Sequence, residues 1–186
     1  MHLLLRTLAL LIMSRRRPPL SLWEASTLPF RVLLTDIDIA WHVNNGMYLS
    51  LMDLGRFDLM VRSGVWERMR ARGWSPVVNL ETITFRKSLT LGQKYTIETR
   101  IVGVDERAIY FEQRMVADGE IYARAYVATR LVSKAGPASK AGPVSNEEIF
   151  AEVGPPPADL ILPEFLHRWR EENSLPSTRR PAPHLW

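Results

Sequence analysis

The sequence predicts an α+β domain in which one long helix lies across one antiparallel sheet. Three observations carry this. From Met47 to about Ser63, apolar residues recur at helical spacing: Tyr48, Leu51, Met52, Gly55 and Leu59. Four segments around and after that helix alternate apolar and polar side chains, or run apolar, at strand length. Short turns such as "VDER" and "ADGE" join them, as in an antiparallel sheet.

The elements follow in order. Residues 1–29 form an apolar and then basic lead segment. As a helix, Met1 to Met13 spans only about 20 Å, against about 30 Å for a hydrocarbon core. Arg6 interrupts it, and the basic residues follow the apolar run instead of preceding it, which argues against a cleaved signal peptide. Two readings stand. The segment packs on the domain or on a partner subunit, or residues 1–17 make a peripheral membrane contact. In the second, Leu3, Leu4, Leu5, Leu8, Leu10, Leu11 and Ile12 enter the interface, and Arg15, Arg16 and Arg17 meet anionic headgroups.

Residues 30–132 form the domain. The run "FRVLLTDID" reads as a first strand ending in a polar cluster. The helix carries Gly55 on its apolar stripe; glycine costs about 1 kcal/mol there against alanine, so close packing on the sheet explains it. "SGVWERMRARGW" reads as a short helix or turn, and "PVVNLETITFRKSL" as a strand closed by Gly92. In "KYTIETRIVGV", Tyr95, Ile97, Thr99 and Ile101 share a face; "AIYFEQRMV" and "EIYARAYVATRLV" follow the same period, with Asp118-Gly119 as a hairpin turn. Tyr110, Tyr122 and Tyr126 put apolar bulk on the other face, and an edge strand needs pairing or cover, so an oligomer is expected. Residues 133–186 form a linker, "SKAGPASKAGP", and a helical extension. There Ser145 and Glu148 stand at capping-box spacing with Gly154 as a stop, and Pro163 opens a second short helix.

Composition narrows the function. With 186 residues the chain holds one domain and appendages. There is no cysteine, which excludes a cysteine nucleophile and thiolate zinc sites and fits a reducing compartment. The net charge is only +4, and the arginines of "SRRRPP" and "STRRP" lack interleaved aromatics, so no nucleic-acid partner is expected. "GWSPV" lacks the second glycine of a nucleophile elbow. No phosphate-cradling glycine loop occurs, and the four histidines lack ligand spacing, so neither cofactor nor metal is expected.

The informative stretch is "DIDIAWHVNNG", just ahead of the long helix. A helix start presents free N–H groups and the positive end of the macrodipole. Asn44 or Asn45 is a natural cap, and that end can hold an oxyanion. Asp36 or Asp38 upstream can act as base or nucleophile. The plain alternative makes the aspartates loop residues, the asparagines caps, and His42 a packing residue.

The pattern D-x-D-x-x-x-H-V-N-N-x-x-Y, read from Asp36, Asp38, His42, Val43, Asn44, Asn45 and Tyr48, resembles the hotdog-fold acyl thioesterases. These include the 4-hydroxybenzoyl-CoA, broad acyl-CoA and plant acyl-ACP branches and the thioesterase superfamily member six group. The resemblance covers about residues 30–132. It implies a sheet wrapped round the helix, a homodimer or homotetramer with sites at subunit interfaces, and hydrolysis of acyl-CoA. It places Asp38 on the catalytic aspartate and the Asn45 N–H on the donor to the thioester carbonyl, with His42 orienting the site. Asn44, Tyr48, Asp53 and Arg107 are implied to bind substrate, Arg107 near the CoA phosphates; Asp53 alternatively pairs with Arg56 or a strand arginine. Arg86 and Lys87 are weaker candidates. Ala40 stands where the acyl-ACP branch has an asparagine, and Ser88 and Leu89 where it has a cysteine or acid, which favours a single-aspartate mechanism. Asp38 to His42 is one residue short of a hydratase D-x-N-P-x-H. The competing reading is a non-catalytic hotdog protein that binds acyl groups or serves membrane-associated assembly. A cytoplasmic location is expected, with membrane association as its variant.

Overall fold

The computed structural model describes residues 3–133, 142–176 and 180–183. Helix α1 (Leu4–Arg16) leads to strand β1 (Ser26–Arg31). The long helix α2 (Asn45–Arg62) and short α3 (Val65–Ala71) follow. Strands β2 (Trp74–Phe85), β3 (Lys94–Val104), β4 (Ile109–Ala117) and β5 (Glu120–Ser133) come next, then a short β6 (Gly142–Pro143) and helices α4 (Asn146–Val153) and α5 (Glu164–Asn173). The antiparallel sheet runs β1-β3-β4-β5-β2, with β6 on β5. It curls round α2, as the hotdog fold requires.

The period-two strands behave as their sequences dictate. Tyr95, Ile97, Thr99 and Ile101 of β3 are all buried against α2. The Asp118-Gly119 turn takes both residues into positive φ, which closes the β4–β5 hairpin in the hand the strand twist prefers. The first strand differs from expectation. It pairs from Ser26 to Arg31; Val32 extends the register by exchanging bonds with Gln93 and Gly92 (both 3.0 Å), and the ladder ends there because Gly92, at φ 78°, turns the partner chain away.

Gly55 explains the depth of α2. A Cβ there would lie 2.7 Å from both Ile97 Cγ2 and Thr99 Oγ1, closer than side-chain atoms tolerate. At this crossing Gln113 donates to the Met52 carbonyl (2.7 Å) and Thr99 Oγ1 (2.9 Å), and accepts from the buried Arg56. A helix backbone carbonyl is thus tied to the sheet by a side chain.

One end of the opposite face of the sheet is covered by the chain itself. Tyr110, Ala108 and Ala128 pack under Leu162 and Leu166 of the C-terminal segment, and Tyr126 meets Phe165 edge-on at 5.2 Å. Gly103 leaves room for Leu162, whose Cα would lie 2.6 Å from an added Cβ. Tyr122, also assigned to this outer face from sequence, lies in the core on the α2 side; its hydroxyl bonds Asp118 at 3.0 Å. The tyrosines therefore do not supply an outer apolar surface for a partner. Helix α4 caps the other end of the core through Ile149, starting at the expected Ser145–Glu148 box. Most of the "SKAGPASKAGP" linker lies outside the described residues.

The lead segment packs, but by one face only. Leu10 enters the core, and Ser14 Oγ donates to Asp58 Oδ1 at 2.6 Å. Asp58 is wholly buried and also receives Ser26 Oγ (2.6 Å) and Arg17 (3.0 Å), so one carboxylate ties α1, its following linker, β1 and α2. Arg6 meets Asp36 at 2.8 Å. The other face of α1 carries Leu4, Leu5, Leu8 and Ile12 outward, Leu5 being 79% exposed. No described helix is long and apolar enough to cross a membrane.

Two outcomes test this packing. Gly55→Ala should destabilise by roughly 1–3 kcal/mol through overpacking, although alanine favours a helix by about 1 kcal/mol. A thermal melt unchanged or raised would contradict the close crossing. Deleting residues 1–13 should also lower the melting temperature, since Asp36 loses its buried partner; a melt equal to that of the full chain would show α1 to be undocked.

Candidate active site

The polar stretch before α2 is built as a tight loop laid along the β2–β3 connection. After a single 3-10 turn (Leu34–Asp36), Ile37 and Val43 face each other as an antiparallel bridge, and Asp38 N–H donates to the His42 carbonyl at 2.9 Å. Asp38 Oδ1 accepts from Ala40 N–H at 2.9 Å, the local side-chain turn that aspartate favours. Trp41 closes the loop at φ 63°. His42 bridges to Thr90, and Val43 N–H donates to the Leu89 carbonyl at 2.9 Å. The loop is thus pinned to the sheet on both sides of its tip.

The two aspartates separate completely. Asp36 is buried; it takes Arg6, the Leu33 N–H at 2.8 Å and, from its backbone carbonyl, the Asn44 N–H at 2.8 Å. It is a structural anchor for the loop and the helix start. Asp38 is half-exposed, and among the described residues its Oδ2 takes no hydrogen bond. Asp36 ends the 3-10 turn and is drawn inward by Arg6, whereas Asp38 lies beyond Ile37, after the backbone has turned into its bridge with Val43, and bonds only within its own loop among the described residues.

The helix start then completes the arrangement. Asn44 caps α2, its side chain accepting from Gly46 N–H at 2.9 Å. The Asn45 N–H, in the first turn, finds no acceptor among the described residues. An uncapped N–H at the positive end of an 18-residue helix is what a thioester oxyanion needs. His42 is exposed, and its imidazole makes no hydrogen bond to Asp38 among the described residues.

The other sequence-predicted residues fall elsewhere. Tyr48 is buried; its hydroxyl accepts from Leu89 N–H at 3.1 Å and its ring meets Phe85 at 5.0 Å. Burial pushes its phenol up, against the effect of the Leu89 N–H. Its role here is to hold the β2–β3 connection, and with it the loop, against α2. Asp53 is exposed and pairs with Arg56, whose guanidinium is pushed down by burial and held up by Asp53. Arg107 sits in the β3–β4 turn, where its N–H donates to Asp105 Oδ1 at 2.7 Å. That turn lies at the far end of β3 from the site, about 30 Å along the strand, so one subunit does not bring Arg107 to Asp38. Arg86 and Lys87 both pair with Glu120. The sequence reading missed Arg6 as the partner of Asp36. Its signal was there: a lone charge in an apolar helix is costly unless paired. Among the described residues no three His, Asp or Glu side chains gather as metal ligands.

A curled antiparallel sheet wrapped round one long helix defines a hotdog-fold protein. Residues 32–153 match the model of the thioesterase-like superfamily, and the chain belongs to that superfamily. It is 40% identical over 100 residues to Protein THEM6 of Danio rerio, covering 54% of this chain and 50% of that one. It is 38% identical over 99 residues to Protein THEM6 of Xenopus laevis, covering 53% and 48%. The chain therefore spans about half the length of the curated relatives it matches. Among solved structures it resembles YbaW, a probable thioesterase from Escherichia coli, with a TM-score of 0.60 at 21% identity over 69% of this chain and 96% of that one. It also resembles a 4-hydroxybenzoyl-CoA thioesterase variant complexed with 4-hydroxybenzoyl-CoA, with a TM-score of 0.58 at 17% identity over 69% and 98%. At those identities the likeness is one of fold.

Proposed function

We propose that the chain hydrolyses acyl-CoA thioesters. The observation that carries this reading is the free Asp38 carboxylate oxygen in a loop pinned directly before the unsatisfied Asn45 N–H. The thioester carbonyl docks on that N–H. Asp38 removes a proton from water, and the resulting hydroxide attacks the carbonyl carbon. The C–S bond then breaks, and the thiolate of CoA leaves with the proton. Attack by Asp38 itself, through an anhydride that water later opens, uses the same groups. His42 orients the site. Membership of the thioesterase-like superfamily and the fold shared with a CoA-thioester hydrolase support the class of reaction.

The working unit is a homodimer or homotetramer. Strand β2 is an open edge of the sheet, and Val77 and Val78 on it are exposed; such an edge needs pairing. A partner would also bring its distant Arg107 turn within reach of a CoA tail. The outward leucines of α1, with Arg15 and Arg16 in its last turn, support peripheral contact with an anionic membrane. Salt-sensitive sedimentation with anionic vesicles, lost on deleting residues 1–13, is the expected result; no binding at low salt would refute the contact. The competing reading, a non-catalytic acyl-binding protein, draws on Ala40 and on the unpartnered His42.

Thiol release from a panel of acyl-CoAs decides between hydrolysis and binding alone. Asp38→Ala should lower turnover by a factor of about 100 or more with little change in the melting curve, because among the described residues the Asp38 side chain bonds only Ala40 in its own loop. His42→Ala should cost less. Wild-type turnover by Asp38→Ala sinks the assignment, and equal losses argue for a paired mechanism. Sedimentation of the same active sample should give a dimer or larger species.

A further inference from the structure

A cavity of about 350 Å³ lies between α2, α3, β2 and α4, away from the Asp38 loop. Phe57 and Met60 of α2, Trp66 and Met69 of α3, Trp74 of β2 and Ile149 of α4 form its walls. The charged groups that line it are engaged with the protein. Arg56 holds Asp53 and Gln113. Arg68 donates to the Glu152 carbonyl, and Arg72 holds the Glu152 carboxylate. Among the described residues each charged group at the cavity already has a protein partner, and the walls are mostly apolar, so the space suits uncharged hydrocarbon.

Its position relative to the site is defined by α2. From Asn45 to Asp53, at the cavity's edge, the helix advances eight residues, about 12 Å. Half-buried Leu49 lies between them on the same helix. A thioester carbonyl held at Asn45 therefore leaves the cavity to the far end of its acyl chain, and short acyl groups do not reach it. The end wall comes from outside the domain core. Ile149 is only 5% exposed, on a helix started by the Ser145–Glu148 capping box and clasped to α3 through Arg68 and Arg72.

We propose that this cavity receives the distal part of an unbranched acyl chain, and that Ile149, supplied by the C-terminal extension, sets the longest chain accommodated. The proposal rests on the acyl-CoA reading and names the substrate class as long-chain. It makes α4 a specificity element, although α4 does not touch the reacting atoms.

The test uses the full chain and a series of S-alkyl-CoA thioethers of increasing length, which bind without turning over. Trp66 and Trp74 line the cavity, so their fluorescence reports its filling. Affinity should be flat for short chains, then rise about fourfold per methylene, the equivalent of about 0.8 kcal/mol, and level off once the cavity is full. Ile149→Ala should move the plateau to longer chains, and Met60→Phe, which fills the space from α2 and adds no indole, to shorter ones. The length-dependent part of the signal should vanish in Trp66→Phe/Trp74→Phe, while Trp41, in the Asp38 loop, keeps reporting the docked head of the ligand. Affinity independent of length, or a plateau unmoved by either variant, overturns the cavity assignment. If thiol release is seen without this profile, hydrolysis stands and the cavity does not hold the chain. If the profile is seen without thiol release, the cavity assignment stands and hydrolysis falls.

Discussion

The depth at which α2 crosses the sheet constrains everything else in the molecule. Gly55 permits it, and Gln113 fixes it by bonding the Met52 carbonyl from the opposite side. With the helix held at that depth, its first turn comes down beside Leu89 and Thr90, where Tyr48 and the Val43 N–H can reach the β2–β3 connection. The site is therefore a consequence of the crossing. A helix riding one side-chain layer higher would leave the Asp38 loop without its bridges to the sheet.

Buried charge is used for assembly, and the aspartate proposed for chemistry is the one left half-exposed. Asp58 gathers Ser14, Ser26 and Arg17, and Asp36 gathers Arg6 and two backbone groups. Each is costly to bury and costlier to leave unpaired, so both enforce the docking of α1. Asp38, two residues from Asp36, keeps an oxygen unbonded among the described residues because the chain leaves its 3-10 turn at Asp36 and Asp38 caps the backbone of its own loop instead. The anchor and the proposed reactive group are thus neighbours in sequence, and the anchor fixes where Asp38 stands.

Much of this was legible in the chain. The period of two gave β3 its full span, the helical stripe gave α2 to within two residues of its start, and Ser145–Glu148 gave the start of α4. The close crossing at Gly55 was readable because glycine weakens a helix, and a tight approach to the sheet offsets that cost on an apolar stripe. What could not be read was three-dimensional pairing between distant segments. Nothing local marks Asp36 as the inward aspartate until Arg6 is placed beside it, thirty residues away. The outer tyrosines looked free for a partner because the covering segment, around Leu162 and Phe165, comes from the far side of a linker. Arg107 is near the site only if a second subunit supplies it.

The central claim is that the Asn45 N–H at the start of α2 receives the thioester carbonyl. It is tested most directly by nitrogen-15 NMR of the protein titrated with an acyl-CoA analogue in which a ketone methylene replaces the sulfur. The account predicts that the Asn45 amide moves most strongly downfield, with Asp38 and His42 shifting beside it. Saturable binding that leaves the Asn45 amide unmoved while other amides shift would contradict it.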